Sequence, residues 1–151
     1  MTPTKETILI ADDSLINIKF LLYYLTNKVE FRVLVANNGK SVLQIASQAN
    51  PDLILLDVMM PGIDGFQVCE QLKSEEHTRD IPIIFMTALD KTEDKIKAFR
   101  LGAADYITKP LQPEELLARV TTQLTIRKQQ KQALFKKKST ITTRNYESPT
   151  N

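Results

Sequence analysis

The chain has 151 residues, 42% hydrophobic and 25% charged, which bounds it to one domain plus an extension with enough length for a two-sided sheet and a hydrophobic core. No apolar run approaches the length of a membrane span, and the composition excludes low-complexity and fibrous classes. The formal net charge of +2 hides two regions: residues 1–115 hold 12 basic and 17 acidic side chains (12 − 17 = −5), whereas residues 116–151 hold 8 basic side chains and one acid, Glu147 (8 − 1 = +7).

Thr7-Ile8-Leu9-Ile10-Ala11 is a short β-branched run that stops at Asp12-Asp13-Ser14. Ile18, Leu21, Leu22 and Leu25 then recur at helical spacing, predicting a helix over 15–26. Phe31 to Val35 reads as a second strand and Asn37-Asn38-Gly39 as a turn. A second helix is expected over 41–49, broken by Asn50-Pro51. Residues 52–56 are a third strand, apolar along its length rather than alternating, as a central parallel strand covered on both faces requires. Pro61 to Gly65 is a loop, 66–73 a helix and 74–80 a polar loop. The fourth strand is expected over 81–86, with Pro82 tolerable only near its start. A helix over 91–101 carries Ile96 and Phe99 on one side, and Gly102 fits its cap. Residues 105–108 form a fifth strand, and Pro113 followed by Glu114 and Glu115 opens a fifth helix. Five strands alternating with five helices predict an α/β fold, a doubly wound parallel sheet.

Four of the five strands end on a polar residue suited to chemistry: Asp12 and Asp13 after the first, Asp57 after the third, Thr87 after the fourth and Lys109 after the fifth. In doubly wound sheets the functional crevice lies outside the carboxyl ends of the strands. Three carboxylates brought together repel unless a cation joins them. Oxygen-only ligands favour a hard divalent ion such as Mg²⁺, with Mn²⁺ as an alternative. The single His77 and single Cys69 argue against zinc. Lys109 would pair with phosphate oxygens and Thr87 would donate to them, a set suited to phosphoryl transfer onto a carboxylate. Taken singly, each residue has a plainer role. Asp12-Asp13 would cap the first helix, Thr87 would cap a loop, Tyr106 would be core, and Met59-Met60 would pack a loop.

Four ordered segments carry a resemblance: Ile10-Ala11-Asp12-Asp13-Ser14, Leu55 through Gly65, Ile83 through Ala88, and Gly102 through Pro110. Together they resemble the receiver domain of two-component response regulators over about residues 6–124, which places the domain at 6–126. That resemblance implies a flavodoxin-like sheet of order 2-1-3-4-5. It also implies that Asp57 accepts a phosphoryl group from a histidine kinase or histidine phosphotransfer protein. Asp13 would then bind Mg²⁺ directly, with Asp12, Asp57 and the Met59 backbone carbonyl completing the site. Thr87, Ala88 and Lys109 would contact the phosphoryl group, Tyr106 would be the switch aromatic, and Lys109-Pro110 a cis peptide. The apolar Met59 and Leu89, two residues beyond Asp57 and Thr87, are expected to shield the acyl phosphate. The fourth helix, fifth strand and fifth helix would form the output face for a protein effector, with Asp105 and Arg119 on it and a phosphorylation-dependent homodimer expected. Such a chain is a switch rather than an enzyme. The rival class, aspartyl phosphohydrolases, places Asp-x-Asp after the first strand, where this chain has adjacent Asp12 and Asp13.

The polar start and lone cysteine fit a cytoplasmic chain without a signal peptide. From Leu116 to Tyr146 no acidic residue occurs. The helical face of Leu117, Val120 and Leu124 degrades beyond Ile126, so 127–151 is expected to be a basic helical extension, disordered from Ser139. It would be a solvated end, a linker, or a contact for an acidic partner. With 151 − 126 = 25 residues following, no DNA-binding domain is expected there.

Overall fold

Five runs of branched and leucine side chains pair side by side as parallel strands: β1 (Thr7–Ala11), β2 (Arg32–Ala36), β3 (Leu53–Leu56), β4 (Ile83–Thr87) and β5 (Asp105–Thr108). They follow the order β2-β1-β3-β4-β5, the flavodoxin-like arrangement. The computed structural model describes residues 5–28 and 31–147. The helices between and after the strands are α1 (Leu15–Tyr23), α2 (Gly39–Ala49), α3 (Gly65–Ser74), α4 (Thr92–Arg100) and α5 (Pro113–Glu147); α1 runs on into a π-helical turn, Tyr24–Lys28.

Strand side chains alternate between two cores. Leu9, Ile54, Leu56, Ile83 and Phe85 face one side, where they meet Val42 and Ala46 of α2, Val68, Cys69 and Leu72 of α3 and Ala98 of α4. Ile8, Ile10, Leu53, Leu55, Ile84 and Met86 face the other, against Leu21 and Leu25 from the α1 segment and Leu116, Val120 and Leu124 of α5. All four residues of β3 are fully buried, which explains its unbroken apolar run. Each such side chain contributes about 1.5–3 kcal/mol of transfer free energy. Burial also holds the thiol of Cys69 up at about 11, Lys73 lowering it and Glu70 raising it by lesser amounts.

Element ends differ from expectation where a local hydrogen bond wins. The second helix begins at Gly39, not Ser41, because the Asn38 side chain accepts the Ser41 N–H at 2.9 Å and caps it. The fourth strand begins at Ile83. The Ile81 N–H donates to the Thr78 carbonyl at 3.1 Å, and Pro82 has no N–H to give the ladder. On α4 only Ala98 is fully buried, while Ile96 and Phe99 are about half exposed. The helix therefore rests on the sheet through a small residue and turns its large apolar side chains outward.

The fifth helix neither frays after Ile126 nor stops at Ser139; it runs to Glu147. No glycine or proline occurs between Pro113 and Pro149, so nothing in the backbone chemistry breaks it. Arg127 donates to the Asp80 carbonyl at 2.9 Å, and Lys131 reaches the Asp52 carboxylate at 3.3 Å. The other Asp52 oxygen accepts the Thr7 N–H at 2.8 Å. The helix is thereby fastened to the edge where β1, β3 and β4 begin, opposite the strand ends that carry the polar residues. Residues 148–151 of the expected disordered stretch lie outside the described residues.

Candidate functional site

The hydrogen-bond ladder continues one residue past the strands and thereby positions the polar groups. The Asp12 N–H donates to Ala36, the Asp57 N–H to Ala11 and the Lys109 N–H to Thr87, at 3.2, 2.9 and 2.9 Å. Asp12, Asp57 and Lys109 thus converge, although Asp12 and Lys109 are 97 residues apart in sequence. The Lys109 ammonium donates to Asp57 Oδ2 at 2.7 Å and to Asp12 Oδ2 at 2.8 Å. Burial pulls the Lys109 pKa down, but the hydrogen bonds to Asp12 and Asp57 and the charges of both outweigh it, and the net direction is up. This ammonium stays charged through the ordinary lysine range. The stability it contributes is lost only as pH rises through its raised folded-state value.

Asp57 is more enclosed than an exposed strand exit would be, at 4% exposure, and Asp12 is fully buried. Asp57 Oδ1 accepts the Met59 N–H at 3.1 Å, which tethers the exposed Met59 loop to the carboxylate. Asp12 Oδ1 accepts the Ser14 N–H at 2.8 Å, and Oδ2 accepts an Asn17 amide hydrogen at 3.3 Å. Asn17 is the supporting residue that strand-end reasoning misses; its signal is its place in the first turn of α1, five residues beyond Asp12. The N-cap of α1 is Ser14, not the acid pair.

Asp12, Asp13 and Asp57 each present a carboxylate oxygen, all within 4.8 Å of one another. Asp13 is exposed and has no hydrogen bond or ion pair among the described residues. An all-oxygen set with one open carboxylate fits a hard divalent cation that keeps several waters. His77 lies elsewhere, with its Nε2 3.0 Å from the Ser47 hydroxyl of α2.

Thr87 is fully buried at the end of β4, and its hydroxyl accepts the Leu89 N–H at 3.4 Å rather than bonding Asp57 or Lys109. Ala88 follows it at the surface. Tyr106 is buried, its ring 6.2 Å from that of Phe85, and its hydroxyl donates to the Leu89 carbonyl at 2.7 Å. Leu89 therefore touches both Thr87 and Tyr106 through its own backbone. Burial, with lesser contributions from Asp94, Asp57 and Asp90, raises the Tyr106 phenol to about 12. A difference titration of absorbance between the native chain and Tyr106→Phe should isolate a phenol ionising near 12. Because the folded value lies above the ordinary tyrosine value of 10.0, the stabilising preference is intact below about pH 10 and is lost as pH rises through about 12. A difference curve centred near 10 would contradict this placement. The Lys109–Pro110 peptide is cis. Arg119 pairs within the chain, its Nη1 2.8 and 2.7 Å from the two Asp105 oxygens and its Nε 3.1 Å from Glu115.

A doubly wound sheet with an acidic, lysine-bridged pocket at its carboxyl edge defines a flavodoxin-like protein equipped to handle phosphoryl groups. The response regulator receiver domain model matches residues 8–121, and the chain belongs to that family: it carries a receiver domain, the aspartate-phosphorylated switch module of two-component signalling. It is 45% identical to response regulator PleD of Caulobacter vibrioides over 113 residues, 75% of this chain and 25% of that protein. It is 54% identical over 76 residues, 50% of this chain and 32% of the relative, to the DNA-binding dual master transcriptional regulator RpaA of Synechocystis. Among solved structures, it resembles the BeF3-activated receiver domain of Klebsiella pneumoniae RstA. There the TM-score is 0.72 at 32% identity, covering 79% of this chain and 98% of that one. It also resembles the receiver domain of a histidine kinase from Syntrophus aciditrophicus, with a TM-score of 0.73 at 33% identity, covering 80% and 90%. The chain spans between a quarter and a half of the length of the curated relatives it matches. No described helix is long and apolar enough to cross a membrane.

Proposed function

We propose that Asp57 is the phosphoacceptor, taking its phosphoryl group from a histidine kinase or a histidine phosphotransfer protein. The observation that carries this reading is the Lys109 ammonium seated between Asp57 and Asp12, at 2.7 and 2.8 Å. An Asp57 oxygen attacks phosphorus, the new P–O bond forms as the P–N bond to the donor imidazole breaks, and the imidazole nitrogen keeps the electron pair. Lys109, already beside the attacking carboxylate, neutralises charge on the transferred oxygens. Ala88, exposed just after β4, offers its backbone N–H to one of them. A Mg²⁺ ion, or Mn²⁺ in its place, held by Asp12, Asp13, Asp57 and the Met59 carbonyl, would supply the positive charge that offsets the carboxylates and the incoming phosphoryl group.

Thr87 joins the phosphoryl group by turning its hydroxyl away from the Leu89 N–H. That shifts Leu89, whose carbonyl holds Tyr106, and so biases the packing between α4 and β5. The exposed Ile96 and Phe99 and the Asp105–Arg119 pair lie on this side of the fold. This is the surface we assign to a downstream protein effector and to a phosphorylation-dependent homodimer. The reading makes the chain a switch without sustained turnover, working in the cytoplasm, its basic extension at 127–151 meeting an acidic partner.

Phosphotransfer from candidate kinases, or from a small acyl phosphate with Mg²⁺, is the test. One phosphoryl group should attach, its attachment should depend on the divalent ion, and small phosphate esters should not be turned over. Sustained ester hydrolysis would favour an aspartyl phosphohydrolase instead. Leu89 is half-buried against the core and Met59 is 58% exposed at the mouth, so Leu89 is the better placed to exclude water. Leu89→Glu should shorten the lifetime of the isolated phosphoprotein several-fold, followed by intact mass. An unchanged lifetime removes the shielding role.

A further inference from the structure

Two arginines meet at the amino edge of the sheet, and among the described residues neither is in an ion pair. Arg127 uses one nitrogen on a neutral group: Nη1 donates to the Asp80 carbonyl at 2.9 Å. Its Nη2 and Nε have no acceptor among the described residues, although Nε is buried, where a donor is ordinarily paired. The Arg79 guanidinium is exposed and has no hydrogen bond among them. Both arginines line a pocket of about 220 Å³ with Asp80, Gln123 and Gln130. Gln123, Arg127 and Gln130 come from α5 at steps of 127 − 123 = 4 and 130 − 127 = 3 residues, so one helix face delivers all three. Arg79 and Asp80 come from the segment before β4, which Lys73 pins by donating to the Arg79 and Ile81 carbonyls, both at 2.9 Å. Burial pulls the Lys73 pKa down, Cys69 and Asp80 push it up, and the charge of Arg127 lowers it further. A third cation is thus close enough to sense Arg127, while Asp80 is the one acid among the pocket's lining residues.

We propose that this pocket binds a phosphate group, carried by inorganic phosphate or by a small phosphomonoester. With Nη1 held by the Asp80 carbonyl, the other edge of the Arg127 guanidinium, Nη2 and Nε, is left to grip two oxygens side by side. Nε is covered, so the ligand engages it as the guanidinium turns slightly into the pocket. Arg79 approaches from the segment before β4, and the carboxamides of Gln123 and Gln130 donate from the helix. Donors arriving from both a helix and a loop suit a tetrahedral oxyanion better than a planar carboxylate, whose two oxygens a single guanidinium fork satisfies. The volume is too small for a drug-sized ligand. Binding joins α5 to the segment before β4 at a second point beside the Arg127–Asp80 bond, and stabilises the folded chain by mass action. The pocket lies at the opposite edge of the sheet from Asp57, so it stands or falls apart from the phosphoacceptor reading.

NMR of the arginine Nε–H groups, on the full chain without Mg²⁺ at mildly acidic pH, is the test. The Arg127 signal is picked out from the chain's six arginines by its loss in Arg127→Lys. Inorganic phosphate should move it downfield along a saturable curve with a Kd of about 1 mM or below, in the native chain and in Asp57→Asn alike. Glycerol phosphate is the second probe, and whichever of the two saturates at lower concentration names the source of the phosphate group. Arg79→Gln, which removes no hydrogen bond of the fold, should weaken binding at least about 10-fold. Isothermal titration calorimetry on the native chain and Arg79→Gln reads the same equilibrium if Arg127→Lys does not fold. No saturable response to either probe up to about 20 mM overturns the proposal. So does a shift reproduced by sodium chloride of equal ionic strength, binding unmoved by Arg79→Gln, or binding lost in Asp57→Asn.

Discussion

Asp57→Asn protein, mixed with a phosphoryl donor and Mg²⁺, should take up no phosphoryl group above background, whereas the native chain should gain one. The amide keeps the size of the carboxylate and its acceptor for the Met59 N–H, but it lacks the anionic oxygen that attacks phosphorus. The fold should survive. Lys109 bridges Asp57 and Asp12, so losing one carboxylate leaves the ammonium paired with the other instead of stranding a partly buried charge. Thermal melting should therefore separate a chemical defect from a folding one. Equal labelling of Asp57→Asn would move the acceptor to Asp12 or Asp13 and overturn the assignment.

Gly65→Ala should unfold or severely destabilise the chain, by about 3 kcal/mol or more in denaturant melts. Gly65 opens α3, and its N–H donates to the Val58 carbonyl at 2.8 Å. A Cβ there would overlap the Asp57 carbonyl oxygen and lie 2.7 Å from Val58 Cα. Those obstacles are backbone at the centre of the site and cannot swing aside as a flexible side-chain tip would. Gly62, with φ of 79° and nothing within 4 Å of its added Cβ, provides the contrast. Gly62→Ala meets only the strain of a left-handed backbone, so its cost should be about 1 kcal/mol. Similar losses at the two positions would contradict the close packing at Gly65.

How far the fold was legible from the sequence follows from how local each signal is. The apolar run of β3, the strand–helix alternation and the Pro113-Glu114-Glu115 start of α5 are properties of neighbouring residues, and the structure repeats them. Helix and strand ends shifted where one hydrogen bond decided, as at Asn38 and Ile81. Ile96 and Phe99 show the limit of periodicity: spacing groups them on one side of α4 but does not say whether that side meets the sheet or the solvent.

The sequence by itself determined that Asp12, Asp13, Asp57, Thr87 and Lys109 stand at strand ends, and parallel strands put all such ends on one edge. Only the tertiary structure decided that Lys109 bridges Asp57 and Asp12, that Asn17 supports Asp12, and that Leu89 links Thr87 to Tyr106. It also decided that Arg127 and Lys131 fasten α5 to Asp80 and Asp52, leaving Leu134 and Phe135 bare. The physical reason is range. Strand order and residue type follow from local chain chemistry, whereas hydrogen bonds of 2.7–2.8 Å between residues 52 and 97 positions apart depend on how the whole sheet twists and where each helix lies across it.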